Sequence, residues 1–145
     1  TTVIADFEAK LKSLRETYNH KPGVRTFYQV WDRPLISAGG NELINDIIQL
    51  CGGENIFADI TLIAPKVSVE AVLTRDPQAI IASGMDIERP EWLDEWLNWE
   101  QLSAVSTGSL FFVPPELVQR HTPRALLGAQ SMCEQIDLAR TRLAL

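Results

Sequence analysis

Two histidines, two cysteines and 19 carboxylates are the residues from which this 145-residue chain could build reactive chemistry. His20 and His121 stand alone, and Cys51 and Cys133 are too far apart for a local zinc or redox motif. So few soft ligands do not support a resident zinc ion. Two buried thiols are the plain reading of the cysteines, and one long-range disulfide, which needs an oxidising compartment, is the alternative. Asp94, Glu95 and Glu100 fall on the polar face of one predicted helix and read as solvated; no spaced carboxylate pair suggests acid/base work. The chain has no Walker loop, G-x-G-x-x-G, G-x-S-x-G or H-E-x-x-H motif. Gly39-Gly40 reads as a plain turn into a helix rather than a phosphate cradle. What remains suits binding. Trp31, where a strand runs into a proline loop, offers a flat apolar surface with one N–H donor. Arg120 and His121, just before a helix start, suit an anion or an amide-rich ligand, whereas Arg124 reads as packing or capping. Glu70 alone reads as an ordinary exposed helix carboxylate.

The elements that must position these residues follow from hydrophobic spacing. Ile4, Phe7, Leu11, Leu14 and Tyr18 form a helical stripe that stops before Lys21-Pro22-Gly23. Val24 to Trp31 is rich in strand formers and is broken by Asp32-Arg33-Pro34. Asn41 reads as the N-cap of a second helix with Leu43, Ile44, Ile47, Ile48 and Cys51 on its apolar face, closed by Gly52-Gly53. Ser68 caps a short helix carrying Val69, Val72 and Leu73, which Asp76-Pro77 ends. Ala79 to Ser83 reads as a buried strand, and Gly84 to Arg89 as a loop. Pro90 suits the first turn of a helix carrying Trp92, Trp96 and Trp99, a stripe read as core packing. Ser103 to Thr107 and Leu110 to Val113 read as two short strands around Gly108. The last helix is expected from about Thr122 to Leu143, with Leu126, Ala129, Cys133 and Ile136 inward.

Helices alternating with strands predict an α/β fold: three layers, with a central mostly parallel sheet flanked by helices. Ligands of such sheets lie beyond the carboxyl ends of the strands. The segments from Asp32 to Gly40, Gly84 to Pro90 and Pro114 to His121 are therefore the candidate ligand loops.

Composition narrows the class. Hydrophobic residues make up 46% and charged residues 22%, as in globular domains. No apolar run approaches the roughly 20 residues of a membrane span. The net charge of −6 and scattered basic residues argue against a nucleic-acid partner. No segment reads as a signal peptide, so the residues alone fit a cytosolic protein or a piece of a longer chain.

Four motifs in order carry a resemblance: Q-L-C-G-G-E-N-I-F-A-D from Gln49, V-S-V-E-A-V-L from Val67 with D-P-Q-A-I-I from Asp76, A-V-S-T-G-S-L-F-F-V from Ala104, and T-P-R-A-L from Thr122. Together they resemble the periplasmic solute-binding proteins that feed cobalamin, haem and siderophore ABC importers, over nearly the whole chain. V-W-D-R-P-L-I-S-A-G-G from Val30 is similar to the cobalamin branch. So is the cysteine pair, and the resemblance implies a Cys51–Cys133 disulfide.

That family has two lobes joined by one long helix, with ligand held between them. The chain resembles only the C-terminal lobe: residues 1–22 are similar to the end of the bridging helix and residues 23–145 to the lobe, the N-terminal lobe lying outside the chain. The resemblance implies a periplasmic location, no enzymatic activity and no cofactor, cobalamin being cargo. Its implied partners are an inner-membrane ABC permease with its ATPase, and the N-terminal lobe. Trp31, Arg33, Leu35 and Ile36 fall on one cleft loop, Met85 and Asp86 on another, and Leu117, Arg120 and His121 on a third. Glu70 falls on the glutamate that docks the permease. Ala64 and the region of Leu117 depart from the pattern, since an enteric cobalamin-binding member carries tryptophans there. Trp31 is expected to replace that surface. Haem, with His121 as the cleft candidate for iron, and ferric siderophores, attracted by Arg33 and Arg120, are the alternative cargoes.

Overall fold

The computed structural model describes residues 2–18, 21, 23–32, 35–37, 43–59, 66–82, 91–113 and 125–143, with backbone alone at 2–7, 31–32, 35, 43–44, 91–92 and 125–127. Along the chain run α1 (Thr2–Tyr18), β1 (Val24–Asp32), β2 (Leu35–Ser37), α2 (Leu43–Leu50), β3 (Gly53–Asn55), α3 (Val69–Arg75) and β4 (Ala79–Ala82). A 3-10 helix (Glu91–Asn98), α4 (Ser103–Ser106), β5 (Leu110–Phe112) and α5 (Ala125–Arg142) follow.

β1, β4 and β5 run parallel in that spatial order. Thr26 faces Ala79 and Gln29 faces Ala82, while Ile80 faces Leu110 and Ala82 faces Phe112. The opposite edge of β1 is shared between two short partners. Its first residues pair parallel with β3, Val24 to Gly53 and Thr26 to Asn55. Its last pair antiparallel with β2, Gln29 to Ser37 and Asp32 to Leu35.

Alternate residues of a strand face opposite sides, so this sheet needs cover on both. Val24, Tyr28, Ala79 and Ile81 pack under α2 and α5, with Leu11, Leu14 and Tyr18 of α1 against them. Phe27, Ile80 and Ala82 face the other way, against Val72 of α3, Leu93 and Trp96 of the 3-10 helix and Ala104 of α4. Phe27 meets Phe57 and Trp96 edge-on, with ring centroids 5.8 and 5.7 Å apart. These are the expected three layers, with mostly parallel strands in the middle.

The expected disulfide is present. Cys51 follows the last turn of α2 and bonds Cys133 of α5, tying together the two helices of one layer. Both cysteines are fully buried. Beside the bond, buried Arg140 holds Asp137 Oδ1 at 2.6 Å and reaches the Cys51 and Gly52 carbonyls at 3.2 and 3.3 Å. Lys21 Nζ donates to the same Asp137 oxygen at 3.0 Å. Gly52 has φ +78°, and the Tyr18 carbonyl oxygen stands where a Cβ would project, so glycine is required there.

Three expectations are corrected. Ser103–Thr107 is not a strand: Ser103–Ser106 form α4. The cause is Asp76, the C-cap of α3 in the left-handed region at φ 43°. Its carboxylate accepts from Ser103 N at 2.8 Å and Ser103 Oγ at 2.7 Å, capping the new helix. The tryptophan segment is a 3-10 helix rather than an α-helix. With three residues per turn its buried face is Leu93 and Trp96, while Leu97 and Trp99 are exposed. Finally, Gly53 does more than end α2, because it starts β3; that strand and β2 were not expected. Each has only three residues, and β3 opens on a glycine, a poor strand former.

Candidate functional site

Because β1, β4 and β5 are parallel, Asp32, Ala82 and Phe112 close them at one common edge. The three candidate segments follow these strand ends in the sequence, and open α/β sheets hold ligands beyond that edge. α5 starts after the third of these segments and runs back to the opposite edge. There Arg142 donates from Nη1 to the Gly108 carbonyl at 2.6 Å, just before β5 begins.

Part of the first candidate loop lies within the described residues. Trp31 lies in β1 opposite Ile36, and Leu35 opens β2 opposite Asp32, so one hairpin brings Trp31, Leu35 and Ile36 together. Ile36 is half-buried and also pairs, antiparallel, with Lys66. The base of the hairpin is held by buried polar side chains. Ser37 Oγ donates to the Tyr28 carbonyl at 2.8 Å, and Trp96 Nε1 donates to Gln29 Oε1 at 2.7 Å. At the third strand, Gln135 Nε2 of α5 donates to the Phe112 carbonyl at 2.9 Å. Val113 N donates to Ala82 O at 2.9 Å, so the parallel pairing continues to the edge. Arg33, Met85, Asp86, Leu117, Arg120 and His121 lie outside the described residues.

Glu70 sits elsewhere. It is exposed in the first turn of α3, whose start is fixed by Ser68 Oγ accepting from Ala71 N at 3.0 Å. A carboxylate there complements the helix dipole. The other end of α3 is anchored by Arg75, which lies over the Phe57 ring with its guanidinium carbon 4.8 Å from the centroid and reaches the Ile56 carbonyl. Arg75 also bonds Asp59 at 2.7 Å, and that hydrogen bond lowers the Asp59 pKa. Among the described residues, no three His, Cys, Asp or Glu side chains gather as metal ligands. No described helix is long and apolar enough to cross a membrane.

Sequence reasoning missed Gln29, Gln135 and Arg140. The one visible signal was Gln29, a lone amide in the strand-forming run from Val24 to Trp31.

The family model described as periplasmic binding protein matches residues 1–117, most of the chain. This chain belongs to the periplasmic binding protein family. Among relatives of this periplasmic binding protein chain, a vitamin B12-binding protein of Vibrio campbellii is 31% identical over 138 residues, covering 95% of the chain and 50% of the relative. The vitamin B12-binding protein of Yersinia pestis is 35% identical over 138 residues, covering 95% and 47%. The chain thus spans about half the length of the curated relatives it matches. Among solved structures, the periplasmic vitamin B12 binding protein of Vibrio cholerae superposes with a TM-score of 0.81 at 31% identity, over 94% of this chain and 52% of that one. A periplasmic heme-binding protein from Roseiflexus has the same fold, with a TM-score of 0.75 at 19% identity over 95% and 55%.

Proposed function

We propose that the chain is the C-terminal lobe of a two-lobed periplasmic receptor that captures cobalamin and hands it to an ABC import permease. One observation carries the reading: the curated relatives, at 31% and 35% identity, are named vitamin B12-binding proteins. The bonded Cys51 and Cys133 agree with the cobalamin branch of the family. In this reading residues 1–22 end the bridging helix, residues 23–145 form the lobe, and the N-terminal lobe closes the cleft from the other side. The carboxyl edge of the sheet is the ligand face.

Cobalamin is large, with a planar corrin edged by amides. It wants apolar platforms and a few well-placed polar groups. Trp31, Leu35, Ile36, Met85 and Leu117 supply apolar surface, and Arg33, Asp86, Arg120 and His121 supply the polar contacts. No bond is made or broken: the work is capture, retention and release. Glu70 meets a cationic site on the permease, where a charge at the rim steers encounter and fixes register more than it adds affinity. The ATPase of the importer then drives release.

The second reading keeps the fold and changes the cargo to haem or a ferric siderophore, since a heme-binding neighbour shares that fold. Calorimetric titration of the two-lobed protein with cyanocobalamin, haemin and a ferric siderophore separates the two. The first reading expects a cyanocobalamin isotherm that Trp31→Ala weakens. Heat with haemin or the siderophore alone transfers the function to the second reading. Silence with all three removes both.

A further inference from the structure

β1 carries a bulge where it leaves the core. Gln29 pairs with Ser37, whereas Trp31 pairs with Ile36 and Asp32 with Leu35, so Val30 is one residue too many for its partner strand. Bulges bend a strand and re-aim the residues beyond them. A slip of one residue would exchange the faces of that hairpin arm, so the register must be held. Gln29 is 2% exposed and Ser37 is fully buried. Ser37 holds its own arm to the Tyr28 carbonyl. Gln29 is held from outside the sheet, by Trp96 Nε1 at 2.7 Å. Trp96 is in turn wedged edge-on against Phe27, which fixes the direction of its N–H. Gln29 lies two residues before Trp31, and Trp96 lies in the 3-10 helix that follows residues 83–90. One buried bond therefore joins the elements that carry two of the three carboxyl-edge segments.

We propose that Gln29 and Trp96 are a positioning pair that sets the β1–β2 hairpin against the 3-10 helix, and through it the way Trp31 and its neighbours meet the ligand. The inference rests on ligand capture at the carboxyl edge and deepens it. The pair acts through the hairpin: a neutral, buried, directional bond fixes an angle without placing charge in the cleft.

Trp96→Phe keeps a ring and removes the donor. Amide hydrogen exchange in this chain, with no ligand, is the first arm of the test. The pair predicts exchange about five- to tenfold faster at residues 29–37, the loss expected for one neutral hydrogen bond, with β5 and α5 unchanged. Unchanged exchange at 29–37 overturns the proposal, and so does a uniform rise over the whole chain, which marks a general stabiliser. Cyanocobalamin affinity of the two-lobed protein is the second arm, in a double-mutant cycle with Trp31→Ala. Trp96→Phe alone is expected to weaken binding about five- to tenfold. Once Trp31 is alanine it is expected to add less than about twofold, because coupled sites are not additive. Fully additive losses overturn the proposal. A wild-type protein that ignores cyanocobalamin overturns the ligand reading, and the exchange arm then decides the pair by itself. Should Trp96→Phe fail to fold, Gln29→Met carries both arms, since it keeps length and apolar contact while removing the acceptor.

Discussion

Arg140 is the most constrained cation among the described residues, buried between Asp137 and the carbonyls that end α2. Arg140→Met leaves those carbonyls and Asp137 short of a donor and is expected to lower unfolding free energy by about 2–3 kcal/mol in urea titration. Desolvation raises the Asp137 pKa, but the hydrogen bonds from Lys21 and Arg140 outweigh it, so the net shift is downward. A carboxyl lowered in the folded state stabilises above its unfolded pKa of about 3.9 and loses that contribution as pH falls through the folded value. Asp137→Asn should therefore be destabilising at pH 7, with the gap to wild type narrowing as urea titrations move below about pH 4. Glu70 belongs to a different kind of residue, exposed and without a core role. Glu70→Lys is expected to abolish cobalamin delivery to permease-containing vesicles while leaving ligand affinity and stability unchanged; a loss of affinity would move Glu70 into the cleft. The cysteine pair was legible because it sits in recognisable motifs. Arg140 and Gln29 were not, because the Cys51 carbonyl and Trp96 that they bond lie 89 and 67 positions away, and residue type alone carries no address.

Elements show where local signals suffice and where they do not. α1, α2, α3 and α5 each carry an apolar face, or a cap and a stop, and their limits follow. Ser68→Ala removes the side-chain cap of α3 and is expected to cost about 1 kcal/mol in thermal or urea unfolding, with Ser68→Asp restoring it. α4 could not be read from its own residues. Alanine, valine and serine suit a short strand as well as a helix, and the deciding hydrogen bonds come from Asp76 on another element. The 3-10 helix was misread for a related reason. Tryptophan spacing of four and three mimics an α-helical stripe, yet Leu93 and Trp96 are the buried pair. β2 and β3 exist because the edge of β1 needs partners, a demand set by tertiary contact and invisible in a three-residue segment.

At the scale of the whole molecule, two apolar cores pack on either face of one sheet, and a disulfide ties α2 to α5 across 82 positions of chain. In the chain-entropy view closing so long a loop contributes about 4 kcal/mol, so Cys51→Ala with Cys133→Ala should lower stability by nearly that amount. Layer order and the common carboxyl edge of β1, β4 and β5 were legible, because alternating helices and strands dictate a parallel sheet. Of the candidate contacts, Trp31, Leu35 and Ile36 are brought together by that architecture. The chain spans about half of its curated relatives, so the opposing face of the cleft belongs to the other lobe in the reading advanced here. Amide hydrogen exchange of the two-lobed protein with and without cyanocobalamin tests this most directly. Protection concentrated at residues 31–36, 83–90 and 114–121 is expected. Protection at the opposite edge, around Gly23, Gly108 and Arg142, or none at all, would contradict it.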